Sequence, residues 1–342
     1  MVEIIPMRVA KSPVHLDLLE SRSSGTTRAI WYAWENNCDV ISMSHGGLPS
    51  KALAEAINAA YDKGVAMFFA SGDYLKEEPG PIQTPRYVVY PAAFSRTMCV
   101  CGVTGDLKTY GLPPKRKKPI LRGNWGPDAW MTNAIAAFSP NIPWAHQPTN
   151  VGSDQGENII DLNGQGTSSS TPQAAGVGAL WLQYHRDDEA LTTEWRTWKK
   201  AEAVYEALRS TAKVFPDPRY SKTYFGNGIL QANTALRKTP NLSVQKQKEA
   251  TVGVGWIGLL ASTLPHPLDP VLSEMLNLEI SQVAQRSTKL QVIIAKYGDV
   301  IPEQTATPLP DPFRVEFLTE LRKESRCSRR LRDVVNQGLA KE

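Results

Sequence analysis

The sequence predicts an α/β protein built on a parallel β-sheet with helices on both faces. Short apolar runs alternate with segments of helical periodicity, a spacing typical of strand–helix–strand units. Hydrophobic residues make up 42% of the chain and charged residues 21%, as in an ordinary globular protein. A length of 342 residues also allows one large domain with a substantial core, followed by an appendage.

The first half of the chain supplies the predicted elements in order. Residues 26–37 carry apolar side chains at helical spacing. In the next helix Leu53, Ile57, Ala60 and Tyr61 form the inner face, Ser50 is placed to cap it and Gly64 to end it. The short apolar runs suit buried strands. These predicted strands are residues 4–9, 39–44 and 65–70.

Two predicted strands end in small or polar residues. Binding sites in parallel sheets lie beyond the carboxyl ends of the strands, so these ends are candidate site loops. The residues concerned are Ser44, His45 and Gly46 after one strand, and Ala70, Ser71, Gly72 and Asp73 at the other.

Residues 166–172 read Gly-Thr-Ser-Ser-Ser-Thr-Pro and run into a stretch compatible with a tightly packed helix. This arrangement places the hydroxyl of Ser168 at a helix N-terminus, where unpaired N–H groups and the helix dipole stabilise an oxyanion. Pro172 is predicted in the first helical turn, where its missing N–H is tolerated. The same residues also fit a Ser/Thr-rich loop that caps an ordinary buried helix, and the local chemistry leaves both interpretations open.

The stretch resembles the nucleophile motif of the subtilisin-like serine peptidases, Gly-Thr-Ser-x-Ala-[Ser/Thr]-Pro. Ser168 falls on the nucleophile and Pro172 on the motif's proline, while Ser170 replaces the usual alanine. Further segments resemble the family in the same order, so the resemblance covers roughly residues 4–237. These segments are 40–46, 65–73, 90–93, 99–103 and 225–232.

The resemblance implies a subtilisin-like three-layer fold and a serine endopeptidase that forms an acyl-enzyme on Ser168. It implies polypeptide substrates and no organic cofactor. Calcium is common in the family, but no acidic ligand cluster is assignable here. The substrate groove implied by the resemblance is lined by Ser44, His45, Gly46, Ala70, Ser71 and Gly72.

Two departures from the family pattern concern catalysis. The family's Asp-[Ser/Thr]-Gly and His-Gly-Thr motifs are missing, and none of the five histidines is followed by Gly-Thr. His45 is expected to shape the groove rather than to act as the base, because a base must lie within about 3 Å of the hydroxyl. Asp73 falls on the family's oxyanion-hole asparagine, and an ionised carboxylate accepts hydrogen bonds but donates none.

The resemblance places both missing motifs before the strand at residues 4–9, so we expect an N-terminally truncated copy of the catalytic domain. In the family, the strand with the catalytic aspartate lies between the strands that residues 4–9 and 39–43 resemble. These two must therefore pair directly or leave a gap with unpaired backbone groups. A compromised fold of this chain alone is the expected consequence.

Three hypotheses about activity follow. The chain is the C-terminal part of a serine endopeptidase with little activity alone, or a catalytically inactive relative that binds peptides or serves as an interaction module. In the third hypothesis, a second chain supplies the missing Asp and His segment.

The rest of the chain is predicted to form an appendage. Residues 1–238 are the incomplete catalytic domain, residues 239–250 a linker and residues 251–342 a helical extension. Within the extension, residues 275–297 and 313–339 are each predicted to be helical. A basic run at 115–118 lies among prolines and is expected to be a solvated surface loop.

Composition excludes several other classes of protein. The net charge of +4 is too small to indicate a nucleic-acid partner, and no apolar run reaches the roughly 18 residues of a membrane span. The four cysteines show no C-x-x-C spacing, so free thiols are predicted instead of a zinc site or disulfides. The N-terminus has no signal-peptide pattern, and the compartment is not predicted.

Overall fold

The computed structural model describes residues 2–9, 25–46, 51–75, 88–111, 121–126, 128–146, 159–250, 287–297 and 311–340, with isolated positions between 272 and 284. Its strands in chain order are β1 (Val40–Met43), β2 (Ala66–Ala70), β3 (Asp73–Leu75), β4 (Met98–Val103), β5 (Leu121–Gly123), β6 (Ala134–Phe138), β7 (Ile142–His146) and β8 (Ile159–Gly164). The helices of the same part of the chain are α1 (Gly25–Glu35), α2 (Lys51–Asp62), α3 (Thr167–Tyr184), α4 (Glu189–Thr193), α5 (Trp198–Ser210), α6 (Pro218–Phe225) and α7 (Ala232–Leu236).

The core is a parallel sheet with the strand order β1-β2-β4-β6. Every residue of β2 and β4 is buried, so both faces of these central strands are covered, as parallel sheets require. Helix α3 contacts all four strands, and α5 also packs on β2. The predicted α/β fold with helices on both faces is confirmed.

Helix α2 shows how the sequence pattern produces this packing. Its predicted inner face, formed by Leu53, Ile57, Ala60 and Tyr61, is at most 1% exposed. The helix ends before Gly64, whose φ of +79° lies in the left-handed region that favours glycine. The predicted cap at Ser50 lies outside the described residues.

Residues 2–9 do not form the buried strand that the sequence predicts. This segment has no strand partner among the described residues, and the side chain of Ile4 is 84% exposed. The prediction is wrong because, among the described residues, β1 pairs with β2 only and residues 2–9 join no sheet.

The predicted linker at residues 239–250 lies against α2 and the turn before β4. Asn58 donates its amide to the carbonyl of Ala250 at 2.8 Å and accepts from the Ala250 N–H at 2.8 Å. The guanidinium of Arg96, which is 2% exposed, donates to the carbonyl of Lys248 at 3.1 Å. These bonds hold the segment against the first domain, while the domain boundary at 238 stays a prediction.

The C-terminal extension contains helices Thr288–Lys296, Asp311–Leu321 and Arg329–Leu339. The single helix predicted over 313–339 is wrong, because the chain leaves the helix at Leu321 and starts a new one at Arg329. The new helix begins at Ser328, whose hydroxyl accepts from the Leu331 N–H at 3.1 Å as an N-cap. No helix in the described part of the chain is long and apolar enough to cross a membrane.

Candidate active site

The glycine before α3 sets the geometry of the serine turn. Gly166 has a φ of +82°, and a Cβ atom built on it would lie 2.8 Å from Oδ2 of Asp73. Both the backbone conformation and the space therefore require glycine at this position. Helix α3 begins at the next residue, so Ser168 is its second residue and its side chain is exposed.

Pro172 lies deeper in α3 than the sequence predicts. The helix starts at Thr167, so the proline is its sixth residue and lies beyond the first turn. Because proline has no N–H, it cannot bond to the carbonyl of Ser168 four residues earlier. The hydroxyl of Ser44 donates to this carbonyl instead, at 2.7 Å. The proline thus leaves an acceptor open for the end of β1.

The same two serines are joined by a second hydrogen bond. The Ser168 hydroxyl donates to the carbonyl of Ser44 at 3.3 Å, and the two bonds tie the nucleophile turn to the end of β1. Among the described residues, no base is hydrogen-bonded to the Ser168 hydroxyl, and its backbone N–H has no partner. The hydroxyl and an open N–H donor therefore lie together at the start of a helix of 18 residues.

Asp73 holds the turn from the opposite side. Its Oδ1 accepts from the Thr167 N–H at 2.9 Å, and its Oδ2 accepts from the Thr167 hydroxyl at 3.2 Å. Burial raises the pKa of this carboxyl to about 6, and the two bonds from Thr167 oppose the rise. Above that pH the ionised group is an acceptor only, as the sequence predicts. It therefore fixes the turn and offers no donor to an oxyanion.

Two buried hydroxyl groups complete the support of Gly166. Tyr110 accepts from the Gly166 N–H at 3.2 Å, and Ser139 donates to the Gly166 carbonyl at 3.0 Å. Burial and the nearby charge of Asp73 raise the pKa of Tyr110 to about 12. Sequence reasoning missed both residues, because neither belongs to a local motif and each reaches the turn only through the folded chain.

The two loops after β1 and β2 meet at one side chain. Cβ atoms built on Gly46 and Gly72 would lie 2.2 Å and 3.0 Å from Cγ2 of Val89, so Val89 packs between the two loops. The loop after β2 is fixed further by Asn124, whose N–H donates to the Gly72 carbonyl at 2.8 Å. The loops after β1 and β2 therefore lie side by side in the folded chain.

The predicted groove residues differ in exposure. The side chains of Ala70 and Ser71 are buried, at 4% and 0% exposure, and the Ser71 hydroxyl donates to the Asn124 carbonyl at 2.9 Å. Any contact of these two residues with a substrate must therefore run through their backbone. Ser44 is exposed, whereas Gly46 and Gly72 are half-buried.

His45 and His185 are the histidines whose side chains the structure describes, and neither is hydrogen-bonded to the Ser168 hydroxyl. His45 is half-buried at the end of β1 and lines a groove of about 880 Å³. His185 is bound at the far end of α3, where its Nε2 lies 3.1 Å from the carbonyl of Leu236 and its ring packs on Trp181. His15 and His266 lie outside the described residues.

A metal centre is not indicated by the part of the chain that the structure describes. Within these ranges no three His, Cys, Asp or Glu side chains form a group that could hold a metal ion. The four cysteines are free, and three of them are buried, in accordance with the sequence prediction. The basic run at 115–118 lies outside the described ranges.

Comparison with known sequences identifies the relatives of this chain. The model of the Subtilase family of S8 peptidases matches residues 2–232. Subtilisin from Bacillus pumilus is 26% identical over 225 residues, which cover 64% of this chain and 66% of that protein. Subtilisin NAT from Bacillus subtilis subsp. natto has the same identity over 225 residues, 64% of this chain and 48% of its own length. The chain spans between about half and two thirds of the length of these relatives.

Two solved structures match this chain with low sequence identity. The PatG macrocyclase in complex with peptide is 23% identical, with a TM-score of 0.43 over 62% of this chain and 55% of that one. The prenylagaramide maturation protease PagA is 21% identical, with a TM-score of 0.46 over 65% of this chain and 70% of its own.

Proposed function

The chain belongs to the subtilase family of serine peptidases, and we propose that Ser168 is the nucleophile of a site that hydrolyses peptide bonds in polypeptide substrates. The observation that carries this proposal is the position of the exposed Ser168 hydroxyl at the start of α3, beside its own open N–H. A nucleophile and an oxyanion donor are thus presented by one residue.

In the proposed reaction, the Ser168 oxygen attacks the carbonyl carbon of the scissile peptide bond. The C=O electrons move onto the oxygen, and the Ser168 N–H with the positive end of α3 stabilises the resulting oxyanion. The C–N bond then breaks, the amine leaves with a proton, and water hydrolyses the ester on the serine. This sequence needs a base that takes the hydroxyl proton and returns it to the amine.

Two features of the site support little activity for this chain alone. No described residue is placed to accept the Ser168 proton, because the hydroxyl donates to a backbone carbonyl of Ser44. The carboxylate of Asp73 accepts from Thr167 and adds negative charge near the developing oxyanion. In subtilisin a side-chain donor to the oxyanion is worth about 10²–10³ in rate, so its replacement by an acceptor lowers the rate further.

A fluorophosphonate probe with imidazole as an external base tests the proposal. The probe phosphorus takes the place of the carbonyl carbon, and its fluoride leaves when the serine oxygen attacks. We expect slow labelling of the native chain, and peptide mass spectrometry should locate the label on Ser168. With imidazole we expect labelling to be at least about tenfold faster, because a general base typically contributes a factor of about 10²–10⁴ in rate.

Matched serine variants separate the nucleophile from its neighbour. Ser168→Ala is expected to abolish labelling with and without imidazole, whereas Ser169→Ala is expected to label like the parent. The Ser169 hydroxyl is a fair control because it donates to the Gln165 carbonyl at 3.0 Å, within the same turn. Labelling at other serines only, or equal labelling after denaturation, would show that Ser168 is not an activated nucleophile.

A further inference from the structure

Two loops hold the nucleophile turn from opposite sides. The loop after β1 reaches it through Ser44, which exchanges two hydrogen bonds with Ser168. The loop after β2 reaches it through Asp73, whose carboxylate accepts from the Thr167 N–H at 2.9 Å. In a polypeptide bound at Ser168, Cα is only about 1.5 Å from the carbonyl carbon. The side chain next to the attacked carbonyl therefore lies close to both loops.

Val89 fills the space between these two loops. A Cβ atom built on Gly46 would overlap with Cγ2 of Val89, and one built on Gly72 would lie 3.0 Å from both of its methyl carbons. Gly46 lies two residues after Ser44, at most about 7 Å along the chain. A large side chain that extends from a carbonyl at Ser168 between the loops therefore meets the valine, whereas a methyl group is too short to reach it.

The position of Val89 is fixed by the backbone on both sides. Its N–H donates to the Ser71 carbonyl at 3.0 Å, and its carbonyl accepts from the Ala93 N–H at 3.0 Å. The preceding residue, Val88, is fully buried. Valine is also branched at Cβ, which restricts its χ1 rotamers, so the side chain does not turn aside as a flexible one does. The side chain of Val89 is only half-buried, and a ligand between the loops can therefore contact it.

We propose that Val89 determines the substrate preference of the site, which selects polypeptides with glycine or alanine on the carbonyl side of the scissile bond. This inference rests on the proposed function, because it takes the Ser168 oxygen as the point of attack. One methylene group more or less in an apolar pocket changes discrimination by about 10–200-fold. A benzyl side chain exceeds a methyl group by a whole aromatic ring, so we expect a preference of at least about tenfold for the small side chain.

Two phosphonate probes measure this preference on the full chain. Both are acetyl-Ala-Ala-aminoalkylphosphonate diphenyl esters, and the carbon next to phosphorus carries a methyl group in one and a benzyl group in the other. Attack by Ser168 forms a bond from oxygen to phosphorus, phenoxide leaves, and added imidazole takes the serine proton. We expect the methyl probe to label Ser168 at least about tenfold faster than the benzyl probe.

Three valine variants connect the preference to this side chain. Val89→Ala opens the space and is expected to speed labelling by the benzyl probe at least about tenfold, while the methyl probe changes less than about threefold. Val89→Thr has nearly the same shape and is expected to keep the parent's preference. Val204→Ala makes the same truncation on the buried face of α5, beside Gly178. Gly178 is about 15 Å from Ser168 along α3, so this variant is expected to lose stability without a change in preference.

Peptide binding to the Ser168→Ala variant tests the inference without catalysis. The ligands are acetyl-Ala-Ala-Ala and acetyl-Ala-Ala-Phe with free carboxylates, which stand in for the carbonyl side of a cleaved substrate. At about 1 mM they report weak binding. We expect the first peptide to shift the Val89 methyl resonances in NMR spectra and the second to leave them unchanged.

The outcomes separate this inference from the proposed function. Equal labelling of Ser168 by both probes, or a Val89→Ala chain that keeps the parent's preference, overturns the inference and leaves the nucleophile assignment intact. If neither probe labels Ser168, the proposed function fails and peptide binding decides the inference. A shift of the Val89 methyl resonances by the alanine peptide alone supports it, whereas equal binding of both peptides or of neither overturns it. The same measurement decides if Val89→Ala does not fold, because it uses the native valine.

Discussion

The half-buried carboxylate of Asp73 beneath the nucleophile turn provides a test of the site's electrostatics. The pKa of Asp73 is raised from 3.8 to about 6, a rise of about two units, or about 3 kcal/mol at about 1.4 kcal/mol per unit. The folded chain therefore binds this proton more tightly than the unfolded chain does. The stabilising effect of the proton is fully present below about pH 4 and is lost as the pH rises through about 6.

The substitution Asp73→Asn removes this titration. The amide oxygen of the variant retains the acceptor for the Thr167 N–H, so the turn keeps its main support. We expect the free energy of unfolding of the variant, relative to the parent, to increase by about 3 kcal/mol between about pH 4 and about pH 7. Urea unfolding at several pH values, with equal m-values for both proteins, measures the difference.

A second aspartate provides the control for this experiment. Asp106 is exposed, and hydrogen bonds from Lys108 and Thr104 lower its pKa. Its stabilising charge is fully present above about pH 4 and is lost only as the pH falls below that value, so the difference between Asp106→Asn and the parent is expected to stay nearly constant between about pH 4 and about pH 7 and to change, with the opposite sign, only below about pH 4. If the difference between Asp73→Asn and the parent also stays constant from about pH 4 to about pH 7, the carboxylate of Asp73 does not have a raised pKa and the electrostatic reasoning fails.

Two further predictions concern the geometry of the turn. The substitution Ser44→Ala removes the donor to the Ser168 carbonyl, so we expect the free energy of unfolding to fall by about 1 kcal/mol and fluorophosphonate labelling to slow. Unchanged labelling would show that this bond does not position the nucleophile. The substitution Gly166→Ala is expected to lower the free energy of unfolding by at least about 2 kcal/mol, because of the positive φ and the contact with Asp73. Gly105→Ala is expected to be nearly neutral, because a Cβ there meets nothing within 4 Å. Equal urea midpoints for the two glycine variants would contradict this.

Local pattern was sufficient for most of the sheet. The runs at 39–44 and 65–70 form β1 and β2, as short apolar segments between helical patterns predict. The run at 4–9 has the same composition but no neighbour on its inner side, so its burial depended on a strand partner that composition does not report. Pairing is a property of the assembled sheet, and a single segment does not encode it.

The candidate site also combines features that the local sequence predicts with features that only the folded chain brings together. The position of Ser168 at a helix start follows from the local motif, whereas the hydroxyl groups of Tyr110 and Ser139 reach Gly166 from distant parts of the chain. The role of Pro172 was also inaccessible to sequence reasoning, because it depends on where α3 begins. A shift of the helix start by a few residues changes which carbonyl the proline leaves open.

The open carbonyl connects the sheet edge to the chemistry of the site. Pro172 leaves the Ser168 carbonyl to Ser44, and Ser44 directly follows β1, which pairs among the described residues with β2 alone. Edge strands that lack a second partner open more readily than paired ones. Because two hydrogen bonds join Ser44 to Ser168, opening of the end of β1 would also release the nucleophile turn, and ordering of β1 would fix it.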